Sequence, residues 1–417
     1  MSIDRFMEFK RGATGAKRHT LLPDPERRKR RYTVISVDDH VVEPPDTFEG
    51  RIPAKFLDRA PRVIDTDDGG QAWLYDGNIL PNVGFNATVG RPFEESDYDP
   101  TRFEHMRRGA WDVHARLADM DLDGTWASLN FPSFLAGFGG ARLQMTTSDA
   151  DLAFAVFRAY NQWHLEGWAG AAPQRFIPCQ LPWLLDPEVG AQEVRRNAEL
   201  GFRAITFPEA PDRLGLPSLF TTHWDPIMRA CAETGTVVCA HTGSAGSLPA
   251  TAPDAPMAVT GILFGTYAVA PTVDFLYSFI PVRFPDIKIV MSEGGIGWVV
   301  GLKDRLEHSL SRSQPEMRQR WAEAGIRPLE ALERNFWFCA LDNPSSFVTA
   351  DRIGIDRILL EVDYPHADST WPDSQAVFET SLARLDAEAT RRISWQNASE
   401  LFRFEVPEAV QNNPDGY

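Results

Sequence analysis

The chain has 417 residues, a length that fits one large domain or two ordinary ones. Its formal net charge of -16 argues against nucleic acid as a partner, because most of the surface would repel a polyanion. Apolar residues make up 43% of the chain, but no apolar run is long enough to span a bilayer and the first residues lack a signal-peptide core. We therefore expect a soluble, cytoplasmic protein with no membrane partner.

Eight short runs rich in β-branched or aromatic residues alternate with longer stretches of helical periodicity, which is typical of a parallel sheet wrapped in helices. The runs begin at Tyr32, Thr125, Arg175, Phe202, Thr236, Ile287, Asn335 and Arg357. Helices are predicted from Asp149 to Trp168, Pro187 to Leu200, Trp224 to Glu233, Trp298 to Ser311 and Ser374 to Leu385. Eight is the number of strands in a closed barrel, so the predicted fold class is α/β, a (β/α)8 barrel.

The barrel is predicted to occupy residues 32–406, between a basic N-terminal tail at 1–31 and a C-terminal tail at 407–417. The basic run Arg27 to Arg31 is typical of a solvated segment. Residues from about 41 to 108 interrupt the alternation, are rich in Pro, Gly, Asp and Asn, and contain a predicted hairpin around Trp73 to Asn78. Because long loops after barrel strands lie on the face where active sites form, we interpret this insertion as a lid over the pocket.

Polar residues follow several of the apolar runs directly. Asp38 and His40 end the first run, His241 the fifth and Asp363 the eighth. Residues two apart in a strand face the same side, so Asp38 and His40 can both face the barrel axis. Two nitrogens and two oxygens suit Zn²⁺ first, and Mn²⁺ or Fe²⁺ as alternatives. Taken singly, each residue has a simpler interpretation as a turn or cap residue.

Four segments together resemble the amidohydrolase-related metal enzymes that include aminocarboxymuconate-semialdehyde decarboxylase and γ-resorcylate decarboxylase. The segments are VDDHVVEPPDTF, the His241-Thr242-Gly243 step, IVMSEGGIGWVVGLKDRLEH and ILLEVDYPHADSTWP. The resemblance implies a (β/α)8 barrel and a homodimer. It also implies one metal, held by Asp38 and His40 in place of a His-x-His or Glu-x-His pair, by His241 and by Asp363.

Two features depart from that family pattern. Glu293, in Ser-Glu-Gly-Gly after the sixth run, stands where the decarboxylases commonly carry a histidine, and His366 follows Asp363 closely. A carboxylate can act as a general base, but it cannot offer positive charge to a substrate carboxylate. Glu293 and His366 also leave room for a second metal, whereas the simpler interpretations are a residue that orients a metal-bound histidine and a histidine that caps a turn.

The sequence thus predicts a metal-dependent hydrolase or non-oxidative decarboxylase that acts on a small organic substrate, aromatic or amide-containing. Asp363, Glu293 and His366 are the candidate catalytic residues, and Glu43, Trp298 and Trp371 are candidates for the pocket wall. Two alternatives stay open: a dinuclear non-haem iron or manganese oxygenase, and a metal-bearing structural subunit of a hetero-oligomer.

Overall fold

The computed structural model describes residues 19–95, 99–252, 254–411 and 413–416. Within these residues, nine parallel strands make up the main sheet. They are β1 Ile35–Val41, β5 Ala127–Pro132, β6 Phe176–Ile177, β7 Cys179–Gln180, β8 Ala204–Pro208, β9 Val237–His241, β10 Ile289–Ser292, β11 Phe336–Ala340 and β12 Ile358–Leu360. Their spatial order is β6-β5-β1-β12-β11-β10-β9-β8-β7.

The sheet closes through a strand that is broken at Pro178. β6 pairs with β5 and β7 pairs with β8, so the two short strands form one barrel strand on either side of the proline. Proline has no backbone N–H to donate, which explains the interruption. Counted in this way the sheet has eight strands, and the predicted (β/α)8 barrel is confirmed, including all eight predicted strands.

Helices follow most strands, and several of them pack against the outside of the barrel. They comprise Val113–Asp123, Ala141–Met145, Ala150–Trp163, Pro187–Leu200, Asp225–Thr234, Met257–Phe264, Val269–Tyr277, Ile280–Arg283, Val299–Leu310, Pro315–Ala324, Pro328–Asn335, Ala350–Ile353, Ser374–Leu382, Ala387–Arg391, Asn397–Phe402 and Glu408–Gln411.

The helix ends follow local sequence. The carboxylate of Asp186 accepts hydrogen bonds from the first turn of Pro187–Leu200, and Gly201 ends that helix in a left-handed conformation. Within the described residues, no single helix is long and apolar enough to cross a membrane. One pair bent by 49°, Ala258–Phe264 with Val269–Tyr277, meets the criteria of length and composition only as a pair.

The insertion after β1 contains a small antiparallel sheet of three strands: β2 Arg62–Asp65, β3 Gln71–Tyr75 and β4 Asn78–Pro81. β3 and β4 form the predicted hairpin, whose turn residues Asp76 and Gly77 both have positive φ, at 49° and 78°. Asp-Gly is a favoured sequence for this turn, because its backbone twist matches that of the strands. The division into tails, barrel and lid stays a prediction.

The basic run before β1 is only partly the solvated segment that we expected: three of its five residues are exposed, but the other two make specific contacts. Arg28 pairs with Asp373 at 2.8 Å, and the Arg30 side chain is buried and donates to the Asp121 carbonyl at 3.1 Å. The acidic surface of the barrel explains this packing, since it offers partners for arginines. The first part of the predicted tail, residues 1–18, lies outside the described residues.

Side chains in the barrel alternate between an inner core and an outer layer. Val237 and Cys239 of β9 belong to the inner core, whereas Val238 and Ala240 pack outward against the helices. In β1 the inward side chains are Ile35 and Val37. The register of β1 against β5 shifts between Ser36 and Asp39, and this irregularity reverses the alternation before the strand ends.

Candidate metal centre

Four predicted metal ligands converge at the carboxyl ends of the strands. Asp38 and His40 lie at the end of β1, His241 ends β9, and Asp363 follows β12. The Nε2 atom of His241 lies 3.1 Å from Nε2 of His40 and 3.3 Å from Oδ1 of Asp38. The Nε2 atom of His40 lies 3.5 Å from Oδ1 of Asp363. All four residues are fully buried. One atom each from Asp38, His40 and His241 lie within 4.8 Å of one another, and Asp363 adjoins that group through His40.

Backbone carbonyls orient both imidazoles. Nδ1 of His40 lies 3.2 Å from the Pro132 carbonyl oxygen, and Nδ1 of His241 lies 2.6 Å from that of Thr242. A carbonyl oxygen can only accept, so each Nδ1 carries the hydrogen and each Nε2 presents a lone pair to its neighbour. Two lone pairs 3.1 Å apart repel each other unless a cation or proton lies between them. The pair is therefore arranged as metal-binding imidazoles are.

The carboxylates around the imidazoles have buried oxygens without hydrogen-bond partners. These are both carboxylate oxygens of Asp38, Oε2 of Glu293 and Oδ1 of Asp363. Burial raises the pKa values of all three residues, and neighbouring carboxylates add to the rise for Glu293 and Asp363. Buried carboxylate oxygens without partners are costly, and a bound cation would remove that cost. The residues present therefore fit a divalent metal.

Glu293 joins this cluster from the end of β10. Its Oε2 lies 3.5 Å from Nε2 of His241, and its backbone N–H donates to the carboxylate of Glu361 at 3.1 Å. Glu293 and Asp363 both have positive φ, at 55° and 56°, a strained conformation for residues other than glycine. Such strain concentrates at functional sites, because the surrounding structure must hold it.

Two carboxylates of the cluster were not predicted. Glu361 is buried and lies two residues before Asp363, at the end of the last strand. Asp368 is exposed in the loop that follows. The oxygens of Glu293, Asp363 and Asp368 lie within 4.8 Å of one another. Strand alternation could have identified Glu361, since it is two residues from Asp363, but no periodic pattern marks Asp368.

His366 lies directly against the first imidazole. Its ring stacks on that of His40 with centroids 3.9 Å apart, and its Nδ1 lies 3.0 Å from Oδ1 of Asp363. The charges of His366 and His241 add to burial in holding the pKa of His40 well below its usual value. His40 is thus held neutral, the form in which imidazole binds metals.

A buried ion pair supports the cluster from outside the barrel. The irregularity in β1 places Asp38 and His40 inward and turns Asp39 outward, where its carboxylate lies 3.6 Å from the Arg116 guanidinium. Arg116 is fully buried, also donates to the His40 carbonyl, and lies 4.1 Å from the centre of the Tyr364 ring. Arg116 therefore contacts both the segment that carries His40 and the segment that carries Tyr364 and Asp363.

A cavity of about 310 Å³ adjoins the cluster. The aromatic ring of Phe138 lines the cavity, with its centroid 4.6 Å from that of His40 and 4.8 Å from that of His241. Phe138 lies in the loop after β5, in a Gly-rich stretch where Gly137 and Gly140 both have positive φ. This loop was not predicted as part of the site, although its glycines are a recognisable sign of irregular backbone.

The three predicted wall residues lie around this site but are not among the residues that line the cavity. Glu43 is buried behind the loop after β5 and accepts a backbone N–H from it. Trp298 donates to the Gly294 carbonyl at 2.8 Å, and Trp371 donates to the Asp119 carbonyl at 3.0 Å. Their role as substrate contacts stays a prediction. Phe85, which does line the cavity, comes from the insertion after β1.

Solved structures with this fold include an amidohydrolase and several decarboxylases. An amidohydrolase from Mycobacterium avium subsp. paratuberculosis is 23% identical, with a TM-score of 0.67 over 89% of this chain and 99% of that one. A 5-carboxyvanillate decarboxylase from Novosphingobium aromaticivorans, solved with manganese, is 19% identical, with a TM-score of 0.59 over 93% and 100%. A 2,6-dihydroxybenzoate decarboxylase from Rhizobium is 15% identical, with a TM-score of 0.59 over 89% and 99%.

At these identities the solved structures show the fold alone. A search of curated proteins finds no match for the chain. The sequence model of the amidohydrolase family, in contrast, matches residues 94–404, which is well over half of the chain. The match covers the barrel from β5 to β12 and includes His241, Glu293 and Asp363. The chain therefore belongs to the amidohydrolase family, a family of enzymes.

Proposed function

We propose that this enzyme catalyses the non-oxidative decarboxylation of a small aromatic acid, with a divalent metal bound by Asp38, His40, His241 and Asp363. The observation that carries the proposal is the fully buried set of two oriented Nε2 lone pairs and partnerless carboxylate oxygens, next to a cavity with aromatic walls. The 5-carboxyvanillate and 2,6-dihydroxybenzoate decarboxylases that share the fold support this choice over hydrolysis.

The oxygen-rich set of ligands favours Mn²⁺ over the Zn²⁺ expected first. Counting Glu293, three carboxylates accompany two imidazoles, and such a set suits a hard divalent cation. When bound, the metal would polarise a substrate oxygen beside the carbon that loses CO₂.

The residues of the chain would then hold the substrate and move the proton. Loss of CO₂ breaks a carbon–carbon bond and leaves electron density on the ring carbon, which must receive a proton. Glu293 and Asp363 lie on the rim of the cluster and are placed to hold or return that proton. Nδ1 of His366 is hydrogen-bonded to Oδ2 of Asp363 at 3.2 Å and would orient that carboxylate. Phe138 would pack against the substrate ring and exclude water.

A dinuclear oxygenase is the second candidate. The carboxylates of Glu293, Asp363 and Asp368 form a separate group that could hold another cation beside the first. Two metals that include iron, together with consumption of dioxygen, would favour this candidate. In either case we propose that the substrate is a small molecule and that the enzyme assembles as a homo-oligomer or a hetero-oligomer.

The test is release of CO₂ by the manganese-loaded protein from 5-carboxyvanillate and from 2,6-dihydroxybenzoate, in air and without oxygen. We expect oxygen-independent release and about one metal per chain, both lost in His241→Ala. His308→Ala is a matched control, because His308 is exposed on an outer helix and should leave both unchanged. Cleavage of an aryl amide without CO₂ release would show hydrolysis instead, and a metal content unaffected by His241→Ala would exclude the site.

A further inference from the structure

A peptide group holds each of the two imidazoles in the metal cluster. Nδ1 of His40 donates to the carbonyl oxygen of Pro132 at 3.2 Å, and Nδ1 of His241 donates to that of Thr242 at 2.6 Å. The peptide bonds that follow these two carbonyls are trans, so in each of them the N–H points away from the carbonyl oxygen. The group that accepts this N–H therefore affects how firmly the peptide can hold the imidazole.

A buried glutamate accepts the N–H of each of these peptides. The first peptide donates the N–H of Ser133 to Oε1 of Glu43 at 3.0 Å, and the second donates the N–H of Gly243 to Oε1 of Glu209 at 3.1 Å. Both glutamates are only 1% exposed. The same chain of contacts, from carboxylate to peptide to imidazole, thus occurs twice, once behind each proposed metal-binding histidine.

The two glutamates reach these positions from different strands. Glu43 lies two residues after β1, whereas Glu209 directly follows β8, the neighbour of β9. Glu209 makes further contacts with the loop after β9: Oε2 accepts the N–H of Ala245 at 2.6 Å and the hydroxyl of Ser244, and its own N–H donates to that hydroxyl at 3.1 Å. These contacts fix the carboxylate independently of the imidazole.

Hydrogen bonds that share one peptide group strengthen each other. In a buried site of low dielectric, donation of the N–H to a carboxylate polarises the peptide and makes its carbonyl oxygen a better acceptor. A better acceptor at Nδ1 fixes the orientation of the ring and makes Nε2 more basic, which favours binding of a metal. Removing the carboxylate would also leave the peptide N–H buried without a partner, so the peptide would be free to reorient.

We propose that Glu43 and Glu209 are positioning residues for the metal centre, and that each holds one imidazole, of His40 and of His241 respectively, through a single peptide group. The inference rests on the proposed function in one respect, that these two imidazoles bind the metal. For Glu43 this role differs from the contact with substrate that the sequence suggested. It requires no contact between either glutamate and the metal.

The first test measures the dissociation constant for Mn²⁺ at pH 8, from the electron paramagnetic resonance signal of the free ion. Glu43→Met and Glu209→Met keep the length of the side chain but remove the acceptor, so each should weaken binding by at least ~10-fold. Glu43→Gln and Glu209→Gln keep an oxygen for the peptide N–H and should weaken binding by less than ~3-fold. This recovery by glutamine is expected only if the hydrogen bond matters.

Asp123→Leu is the matched control. Asp123 is 1% exposed and accepts the N–H of Ser374 at 3.0 Å, near the amino end of β5 and away from the cluster. The substitution therefore also removes a buried carboxylate that accepts a backbone N–H, but it leaves both peptides in place. The dissociation constant for Mn²⁺ should stay within ~2-fold of that of the wild-type protein.

The second test identifies which imidazole each glutamate holds. In zinc-loaded protein labelled with ¹⁵N at histidine, each metal-bound imidazole should give an Nδ1–H signal, assigned through its contacts with neighbouring protons. Glu209→Met should shift the His241 signal and speed its exchange with water while the His40 signal stays in place, and Glu43→Met should do the reverse. The glutamine variants should show smaller shifts with the same selectivity, so the assignment does not depend on folding of the methionine variants.

The outcomes distinguish this inference from the proposed function. Methionine variants that bind Mn²⁺ as tightly as the wild-type protein, an equal loss in Asp123→Leu, or equal changes of both signals in each variant would overturn the positioning role even where CO₂ is released. Selective changes without release of CO₂ would support the positioning role and exclude decarboxylation. A wild-type protein that binds neither metal would overturn both proposals.

Discussion

Glu43 provides a test of how buried charge affects the wall of the cavity beside the metal cluster. Its side chain is only 1% exposed, and Oε1 accepts the backbone N–H of Ser133, a cavity-lining residue, at 3.0 Å. Burial raises the pKa of Glu43 from its ordinary value of 4.5 to about 7. The substitution Glu43→Gln keeps an oxygen that can accept the same hydrogen bond but removes the ionisable group.

The size and sign of the effect follow from the two pKa values. Below pH 4.5 the carboxyl is neutral in both states, whereas between 4.5 and about 7 it ionises only in the unfolded chain, so folding stability falls as pH rises. At ~1.36 kcal/mol per pH unit, the loss amounts to ~3 kcal/mol once the pH exceeds 7. Glutamine cannot ionise, so the variant should not undergo this loss.

Urea unfolding of the wild-type protein and Glu43→Gln, both free of metal, measures the difference in unfolding free energy at pH 5 and at pH 8. Since ~0.8 kcal/mol of the loss is already present at pH 5, we expect the variant to gain ~2.5 kcal/mol relative to the wild-type protein between the two conditions, while other buried carboxyls cancel in the difference. Glu49→Gln, at an exposed position of the same insertion, should show no such gain. Parallel curves for wild type and Glu43→Gln would falsify the reasoning.

Three further predictions concern the metal cluster. Phe138→Ala should open the buried cluster to solvent. A chelator should then remove manganese at least ~10-fold faster than from the wild-type protein. An unchanged rate would mean that Phe138 does not cover the metal. Burial raises the pKa of Asp39 to about 7 even beside Arg116, so this pairing is tested at pH 9, where the carboxylate is ionised. Arg116→Met should then cost ~3–5 kcal/mol in a denaturant titration, because the carboxylate is left buried without its cation; a loss under ~1 kcal/mol would contradict the pairing. Removing metal with a chelator should lower the unfolding free energy, and manganese restored at 100 times its dissociation constant should return about 2.7 kcal/mol, measured calorimetrically; the His241→Ala protein should not respond.

The barrel was predictable because its signals are local and repeated. Apolar runs mark the strands, and residues such as Asp186 and Gly201 mark helix ends by chemistry that depends only on the nearby backbone. Pro178 shows the limit of that reasoning. The proline splits one strand into two short pieces, and only the pairing of both pieces shows that the barrel still closes.

The site was predictable where ligands end strands, and not where loops supply them. Asp38, His40 and His241 form one group and Asp363 adjoins it through His40, as the convergence of strand ends requires, although their binding of metal is still a proposal. Strand alternation alone does not place Asp38 and His40 inward, because it would continue from Val37 to Asp39. The irregularity in β1 makes the difference, and no residue pattern marks it.

The positions of the loop residues at the site depend on long-range contacts. Phe138 reaches the imidazoles only because the loop after β5 folds over the barrel mouth, where its carbonyl accepts the Thr206 hydroxyl. Arg142 and Arg213 lie far apart in sequence and share one cavity through the order of the strands. Sequence periodicity carries no information about such pairs, because loop geometry is set by tertiary contacts.

The charge balance of the cluster connects its affinity for metal to pH. Asp38, Glu293, Glu361 and Asp363 are all buried together, and one divalent cation neutralises only two of their possible negative charges. The raised pKa of each carboxyl means that protons supply the balance in the metal-free protein. Binding of the metal must therefore displace protons, since ligand carboxylates bind it in the ionised form. It follows that the affinity for metal should rise with pH.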